Sequence, residues 1–351
     1  MLALAAFPLG ERCCFLDPSP DAGAGHTSKL LVGGYDDEAL LDELAAEVDV
    51  VTYEFENVPA ATALHLAAKV PVYPPPRALD AAQDRLVEKR LLEEMGFRVA
   101  PYLAADSPKD LLEAGTKLGY PFIAKTRKGG YDGKGQYRLT SEGDLEDAWA
   151  ELGGVPVLAE GLISFDRELS IIGARSTGGE TVFYPLTENT HRDGILRTSL
   201  APALGSEELQ SRAEVAAKKV MDELSYVGVL AIELFDKEGE LYANEMAPRV
   251  HNSGHWTIEG AETSQFENHV RAVLGLPLGA TAPRGHAAMV NFIGDLPDRA
   301  AVLSVPGAHL HLYGKSARPG RKVGHATVRS EDRAKLLGAL ERLQKLASRP
   351  S

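Results

Sequence analysis

Residues 228–257 read GVLAIELFDKEGELYANEMAPRVHNSGHWT. The first half alternates apolar and polar positions over two segments, the pattern of a strand pair. Lys237-Glu238-Gly239 reads as the turn, a three-residue loop with glycine at its left-handed position. That loop puts Asp236 opposite Glu240 and Glu233 opposite Ala243. Glu245 then lies diagonal to Glu233 on the same face, with Cα atoms roughly 7–8 Å apart. Two carboxylates at that spacing converge on one cation. An all-oxygen ligand set that keeps several waters suits Mg²⁺ accompanied by phosphates. Alone, the pair would read as two solvated glutamates on an exposed hairpin. The polar run after Glu245 turns the reading, because Arg249, His251, Asn252 and His255 together exceed what a strand end needs.

Upstream, YPFIAKT (120–126) is a strand carrying Lys125, followed by the glycine-rich loop KGGYDGKGQ (128–136) and a second strand. No GK[ST] is present and no helix follows, so this is not a P-loop. Gly129, Gly130, Gly133 and Gly135 let backbone N–H groups approach phosphates, and Lys134 adds charge. Residues 81–95 form one amphipathic helix, containing DRLVEKRLLEEM, whose charged residues read first as a solvated face. Helices also follow Ser107, as N-cap before Pro108, and Ser206. Residues 1–98 alternate strands and helices, including a buried strand at 48–55, as in an α/β layer with a mostly parallel sheet. The opening is unusual for such a layer. Residues 1–9 read as the end of a helix, with no strand and no glycine-rich turn before it. Beyond a Gly/Pro-containing linker, two strands, 287–294 and 309–315, precede the basic loop KSARPGRKVGHATV (315–328). Lys315, Arg318, Arg321 and Lys322 suit a substrate phosphate if that loop walls a cleft. The domains expected are 1–98, 99–282 and a small β-rich unit at 283–351.

Composition bounds the function. A net charge of −13 over 351 residues argues against a general nucleic-acid binder. The only cysteines, Cys13 and Cys14, are adjacent, which disfavours a disulfide framework and fits a reducing cytoplasm. No apolar run of about 18 residues marks a membrane span.

The order of these pieces resembles the ATP-grasp superfamily: Lys-bearing strand, glycine-rich hairpin, acidic hinge, then two carboxylates beside an asparagine. Within it, KGGYDGKGQ, FYPLTENTHRDGILRTS (183–199), NEMAPRVHNSGHWT (244–257) and RPGRKVGH (318–325) resemble the 5-(carboxyamino)imidazole ribonucleotide synthetases of purine biosynthesis. The resemblance implies an ATP-grasp fold. It also implies ATP- and bicarbonate-dependent carboxylation of the amino group of 5-aminoimidazole ribonucleotide, with Mg²⁺, in a cytoplasmic homodimer.

Residue by residue, it implies that Arg85 and Lys125 contact ATP phosphates and that Gly130, Tyr131, Asp132, Gly133, Lys134, Gly135 and Gln136 cover them. Glu160, Gly161, Leu162 and Ile163 form the adenine hinge, Glu168 takes the ribose hydroxyls, and His191 lies near the phosphates. Glu233 and Glu245 hold Mg²⁺ beside Asn244. Tyr131, Asp132, Arg249, Asn252 and Ser253 face bicarbonate and the aminoimidazole, and Lys315, Arg318, Arg321 and Lys322 take the ribonucleotide phosphate. The acceptor of the amine proton stays open among Asp132, His251 and released phosphate. Two rivals compete with this reading: another ATP-grasp carboxylate–amine ligase, and a nucleotide-binding protein that has lost catalysis.

Overall fold

The structure, a computed structural model, describes residues 1–130 and 134–348. The strands in chain order are β1 (Cys14–Asp17), β2 (Lys29–Val32), β3 (Arg98–Val99), β4 (Tyr102–Ala105), β5 (Phe122–Thr126), β6 (Gln136–Leu139), β7 (Val157–Gly161) and β8 (Arg167–Arg175). They continue as β9 (Thr181–Phe183), β10 (Thr187–Arg192), β11 (Ile195–Ala201), β12 (Gly228–Lys237), β13 (Glu240–Ala247), β14 (His286–Ile293), β15 (Ala308–Leu312) and β16 (Lys322–Ser330).

One ten-stranded sheet organises the molecule, in the order β15-β16-β14-β11-β10-β8-β12-β13-β3, with β9 added to β8. The C-terminal strands are thus part of the central sheet, joined through the antiparallel pair β11–β14. A smaller antiparallel sheet, β4-β7-β5-β6, carries Lys125.

Strand alternation sorts β12 between two cores. Leu230, Ile232 and Leu234 pack under the helix Glu207–Glu223. Val229 and Ala231 face Trp256, Phe266 and Val270, with Leu2 and Ala6 from the first helix. Glu233 continues that second face where the core gives way to a cleft.

The N-terminal region is a thinner layer. β1 and β2 pair in parallel, and the strand expected at 48–55 reduces to a single parallel bridge, Val51 to Val72. Val51 spends both its backbone groups on that neighbour, through Pro71 O at 2.9 Å and Tyr73 N at 2.8 Å. It has no partner strand on its other side among the described residues, which is why the pairing does not extend.

Thr52 ties this layer to the central sheet. Its Oγ1 lies 2.7 Å from Nε2 of His269, whose Nδ1 accepts the Val229 N–H at 3.0 Å. The imidazole is therefore protonated at Nε2. Gly228 permits the approach: its φ is 111°, and a Cβ there would stand 2.9 Å from the His269 ring. Burial pushes the His269 pKa down to about 4. The folded value lies below the unfolded one. Its stabilisation is therefore complete above the unfolded pKa of about 6.5 and is lost as pH falls towards 4. The cost of His269→Gln should shrink by about 2 kcal/mol between pH 7.5 and pH 5. Urea denaturation of both proteins at the two pH values measures it, and an unchanged cost would contradict the assignment.

Candidate active site

The two glutamates are closer than the sequence suggests. The turn is a two-residue loop, Glu238-Gly239, with both residues at positive φ (53° and 78°), as the twist of a tight hairpin demands. Lys237 therefore faces Glu240, and Asp236 faces Leu241. A bulge at Asn244 then shifts the register, so that Glu233 stands directly opposite Glu245 instead of diagonal to it. Burial and the like charge of Glu245 push the Glu233 pKa up to about 7. Burial would raise the Glu245 pKa, but Arg85 and Lys125 hold it down, so Glu233 is the carboxylate whose charge a cation would neutralise.

Past Ala243 the outer edge of β13 has no strand beside it among the described residues, since β3 pairs only with Tyr242 and Ala243. Side chains of the helix Arg85–Glu94 take the strand's place. Lys89 Nζ donates to the carbonyls of Asn244 at 2.7 Å and Ala243 at 3.3 Å. Glu88 accepts the Met246 N–H at 2.6 Å. Arg85 NH1 donates to Glu245 Oε2 at 3.0 Å. The expected helix over 81–95 is broken to make this possible. One helix ends at Gln83, and Asp84 turns to extended geometry and caps the next at the N–H groups of Leu86 and Val87. Asp84 also holds Arg127 in a two-point pair at 3.2 and 2.7 Å.

Lys89 is only 2% exposed, not on a solvated face. It meets Glu160 at 2.5 Å, and Lys125 pairs with the same carboxylate. Burial alone would raise the Glu160 pKa, but Lys125 and Lys89 prevail and hold it at about 2. The Glu160 side chain is thus engaged with two lysines. The Gly161 N–H is taken by Pro101 O at 2.8 Å. Leu162 and Ile163 follow the end of β7, with Leu162 exposed. None of these four hinge residues lines the central cleft.

Gly129, Gly130, Lys134 and Gln136 do line it, and Gly135 closes the base of the loop through its carbonyl, 2.8 Å from Thr126 N. Tyr131, Asp132 and Gly133 lie outside the described residues. Glu168 accepts from Nδ1 of His191 at 2.8 Å and from its N–H at 3.2 Å. Burial would lower the His191 pKa, but the Glu168 bond and the nearby glutamates raise it.

The cleft encloses about 1860 Å³ and is lined by Arg85, Lys125, Glu168, His191, Glu233, Asn244, Glu245, Arg249, His251, Asn252, Lys315, Arg321 and Lys322. Arg249 reaches Glu56 of the N-terminal layer through Nε, and its NH1 donates to Val250 O at 3.0 Å. His251 Nε2 lies 3.4 Å from Glu233 Oε1. Asn252 Oδ1 is buried with no hydrogen-bond partner among the described residues. Ser253 is fully buried beneath the cleft, so it supports the wall and does not line it. Arg318 sits in an exposed turn against Gly294, outside the lining. Lys315 Nζ stands 5.7 Å from the centre of the Tyr313 ring. Burial, Arg321 and Lys322 push its pKa down. Tyr313 OH lies 2.7 Å from Nδ1 of His325, which stacks on His311 at 4.5 Å.

The sequence reading missed Glu56, Glu88 and the tyrosine–histidine stack as parts of this site, and weighed Lys89 as surface. One signal for Glu88 and Lys89 was available. They sit four and three residues before Leu92, on the face that this fully buried leucine marks as inward.

Comparisons with known proteins agree along the whole chain. Residues 1–83 match the ribonucleotide synthetase preATP-grasp domain, 90–266 the ATP-grasp domain, and 287–338 the phosphoribosylaminoimidazole carboxylase C-terminal domain. The N5-carboxyaminoimidazole ribonucleotide synthase of Pseudomonas aeruginosa is 50% identical over 346 residues, covering 99% of this chain and 96% of the relative. The crystal structure of N5-carboxyaminoimidazole ribonucleotide synthetase from Thermus thermophilus superposes with a TM-score of 0.96 at 53% identity, over 100% of this chain and 96% of that one. The Aspergillus clavatus synthase in complex with ADP and 5-aminoimidazole ribonucleotide superposes with a TM-score of 0.91 at 31% identity, over 100% and 96% of the two chains. With the three domain matches in order and half of its residues identical to such an enzyme, the chain belongs to the N5-carboxyaminoimidazole ribonucleotide synthase family of ATP-grasp ligases.

Proposed function

We propose that this chain carboxylates the amino group of 5-aminoimidazole ribonucleotide, using ATP and bicarbonate and releasing ADP and phosphate. One observation carries the proposal: a single cleft holds the facing carboxylates Glu233 and Glu245, the Arg249–Asn252 run and the basic wall of Lys315, Arg321 and Lys322. The relative crystallised with ADP and 5-aminoimidazole ribonucleotide supports the same pairing of ligands.

Bicarbonate carbon is a poor electrophile because its oxygens carry negative charge. A bicarbonate oxygen attacks the γ-phosphorus of ATP, ADP departs, and carboxyphosphate results. The amine then attacks the carboxyl carbon, either in carboxyphosphate or in CO₂ released from it. The C–O bond breaks with its electron pair on phosphate, and the amine proton passes to a base. Such chemistry is mostly positioning and neutralisation of charge. Glu233 and Glu245, with Asn244 beside them, would hold Mg²⁺. Among the described residues no cluster of three or more His, Cys, Asp or Glu forms a metal cage, which fits an ion completed by phosphate oxygens and water. An ion held there would supply positive charge against the phosphate oxygens. Arg85, Lys125 and Lys134 belong beside the triphosphate, and Glu168 beside the ribose. Arg249 and Asn252 would face bicarbonate and the aminoimidazole; the family resemblance adds Tyr131 and Asp132, which lie outside the described residues. The domain limits near residues 98 and 282, the cytoplasmic location and a homodimer belong to the same proposal.

ADP release measured with and without bicarbonate and the ribonucleotide tests the function; turnover indifferent to the ribonucleotide would overturn it. The same assay tests the phosphate wall. Arg321→Ala should raise the KM for the ribonucleotide about 10- to 100-fold, the worth of one hydrogen bond to a charged group, with little change for ATP. Arg318→Ala should behave nearly as wild type. An equal rise for both substrates with Arg321→Ala would remove the wall from the site.

A further inference from the structure

Beneath the cleft floor runs a chain of polar side chains that no proposed chemistry uses. Ser199 Oγ lies 2.8 Å from Asn189 Oδ1, Asn189 Nδ2 3.0 Å from Ser170 Oγ, and Ser170 Oγ 2.8 Å from Ser253 Oγ. Ser253 Oγ in turn lies 2.8 Å from Nδ1 of His251. Ser170, Ser199 and Ser253 are fully buried and Asn189 is 6% exposed, so water does not complete these bonds.

The direction of the chain follows from one fixed donor. The backbone N–H of Ser253 points at Nδ1 of His251, 3.3 Å away. A backbone N–H only donates, so Nδ1 accepts. Ser253 Oγ–H therefore donates to Nδ1 as well, and Ser253 Oγ accepts from Ser170. Ser170 accepts from the Asn189 amide, whose oxygen accepts from Ser199. Each hydroxyl proton is used once, and all bonds run one way. With Nδ1 occupied, the neutral ring carries its proton on Nε2, the atom 3.4 Å from Glu233 Oε1.

We propose that Ser199, Asn189, Ser170 and Ser253 are positioning residues that lock His251 in the Nε2–H tautomer, so that it enters the cleft as a hydrogen-bond donor and not as the acceptor of the amine proton. This rests on the carboxylation reading for its role, but the tautomer itself does not. It takes His251 out of the three candidates for the base and leaves Asp132 and released phosphate. As a donor, His251 serves an oxygen that gains negative charge.

Asn189→Asp tests the chain with almost no change of shape. An aspartate offers only acceptors where Asn189 donates to Ser170, so Ser170 must donate to it. Ser253 then donates to Ser170, which leaves only its backbone N–H, 3.3 Å away, to hold Nδ1 of His251 as an acceptor. Nitrogen-15 NMR of the intact protein reads the outcome. Wild type should show a pyrrole-type signal at His251 Nε2 and a pyridine-type signal at Nδ1. Asn189→Asp should mix the two tautomers and lower kcat, with the KM for ATP unchanged, as a misassigned tautomer does elsewhere. Ser199→Ala removes only the far end and should keep the wild-type spectrum. If Asn189→Asp does not fold, Ser253→Ala decides, because it removes the hydroxyl donor and should mix the two tautomers. A wild-type ring protonated at Nδ1, or an unmixed wild-type spectrum in Ser253→Ala, would overturn the proposal. Absence of ribonucleotide-dependent turnover would overturn the proposed function instead, and leave the spectrum to decide the chain.

Discussion

Glu245→Ala should cut bicarbonate- and ribonucleotide-dependent ADP release by roughly 10³-fold or more, the loss expected when a ligand of a phosphoryl-transfer ion is removed. The fold should survive. In the folded protein Glu245 stands across from Glu233 and its like charge makes Glu233 harder to ionise. Removing one relieves that repulsion and releases Arg85, its 3.0 Å partner, into an open cleft. The pair is therefore a place where stability is given up for chemistry. Thermal unfolding should shift by only a few degrees, while single-turnover release of ADP collapses. Turnover near the wild-type rate would exclude Glu245 as a cation ligand.

Lys89→Met should have the opposite profile, a loss of stability of about 3–5 kcal/mol, the cost of breaking a buried pair by removing one partner. Methionine fills the volume but leaves Glu160 with Lys125 alone. It also removes the donor to the carbonyls of Ala243 and Asn244, the latter where no strand runs beside β13 among the described residues. The midpoint of urea unfolding should fall accordingly, and adding Glu160→Gln should recover part of the loss. A change below about 1 kcal/mol would mean that the lysine is a bystander, as exposed pairs often are.

The two glutamates could be found from the sequence because strand alternation and their separation depend on local pattern alone. Their true register could not. Glu238 sits at a φ of 53°, a conformation glutamate seldom adopts, so the turn looked one residue longer. The bulge at Asn244 leaves no mark on the alternation either. These two misreadings add to a shift of two residues, which keeps both carboxylates on one face but turns a diagonal pair into a facing one. The basic loop was legible as a wall of the cleft, but not which of its side chains turn inward, since glycines and a proline give it no period. The break at Asp84 was hidden for a different reason. Its cause is Arg127, 43 residues away, and a helix-period pattern passes through the break without interruption. Lys89 and Glu88 looked like surface because charge outweighed position. Only the unpaired edge of β13 explains why charges belong there.

The central sheet runs without interruption from the strand bearing Glu245 to the strand that opens with Lys322. Under the proposed function, the anchor for one end of the substrate and the reacting centre at the other are therefore set on a common ladder, whose rungs are spaced about 4.8 Å apart. No hinge intervenes to stretch or shorten the span. On that proposal, selection would work as a gauge of length: a ligand whose phosphate and amine are separated by the wrong distance could satisfy either end, but not both at once.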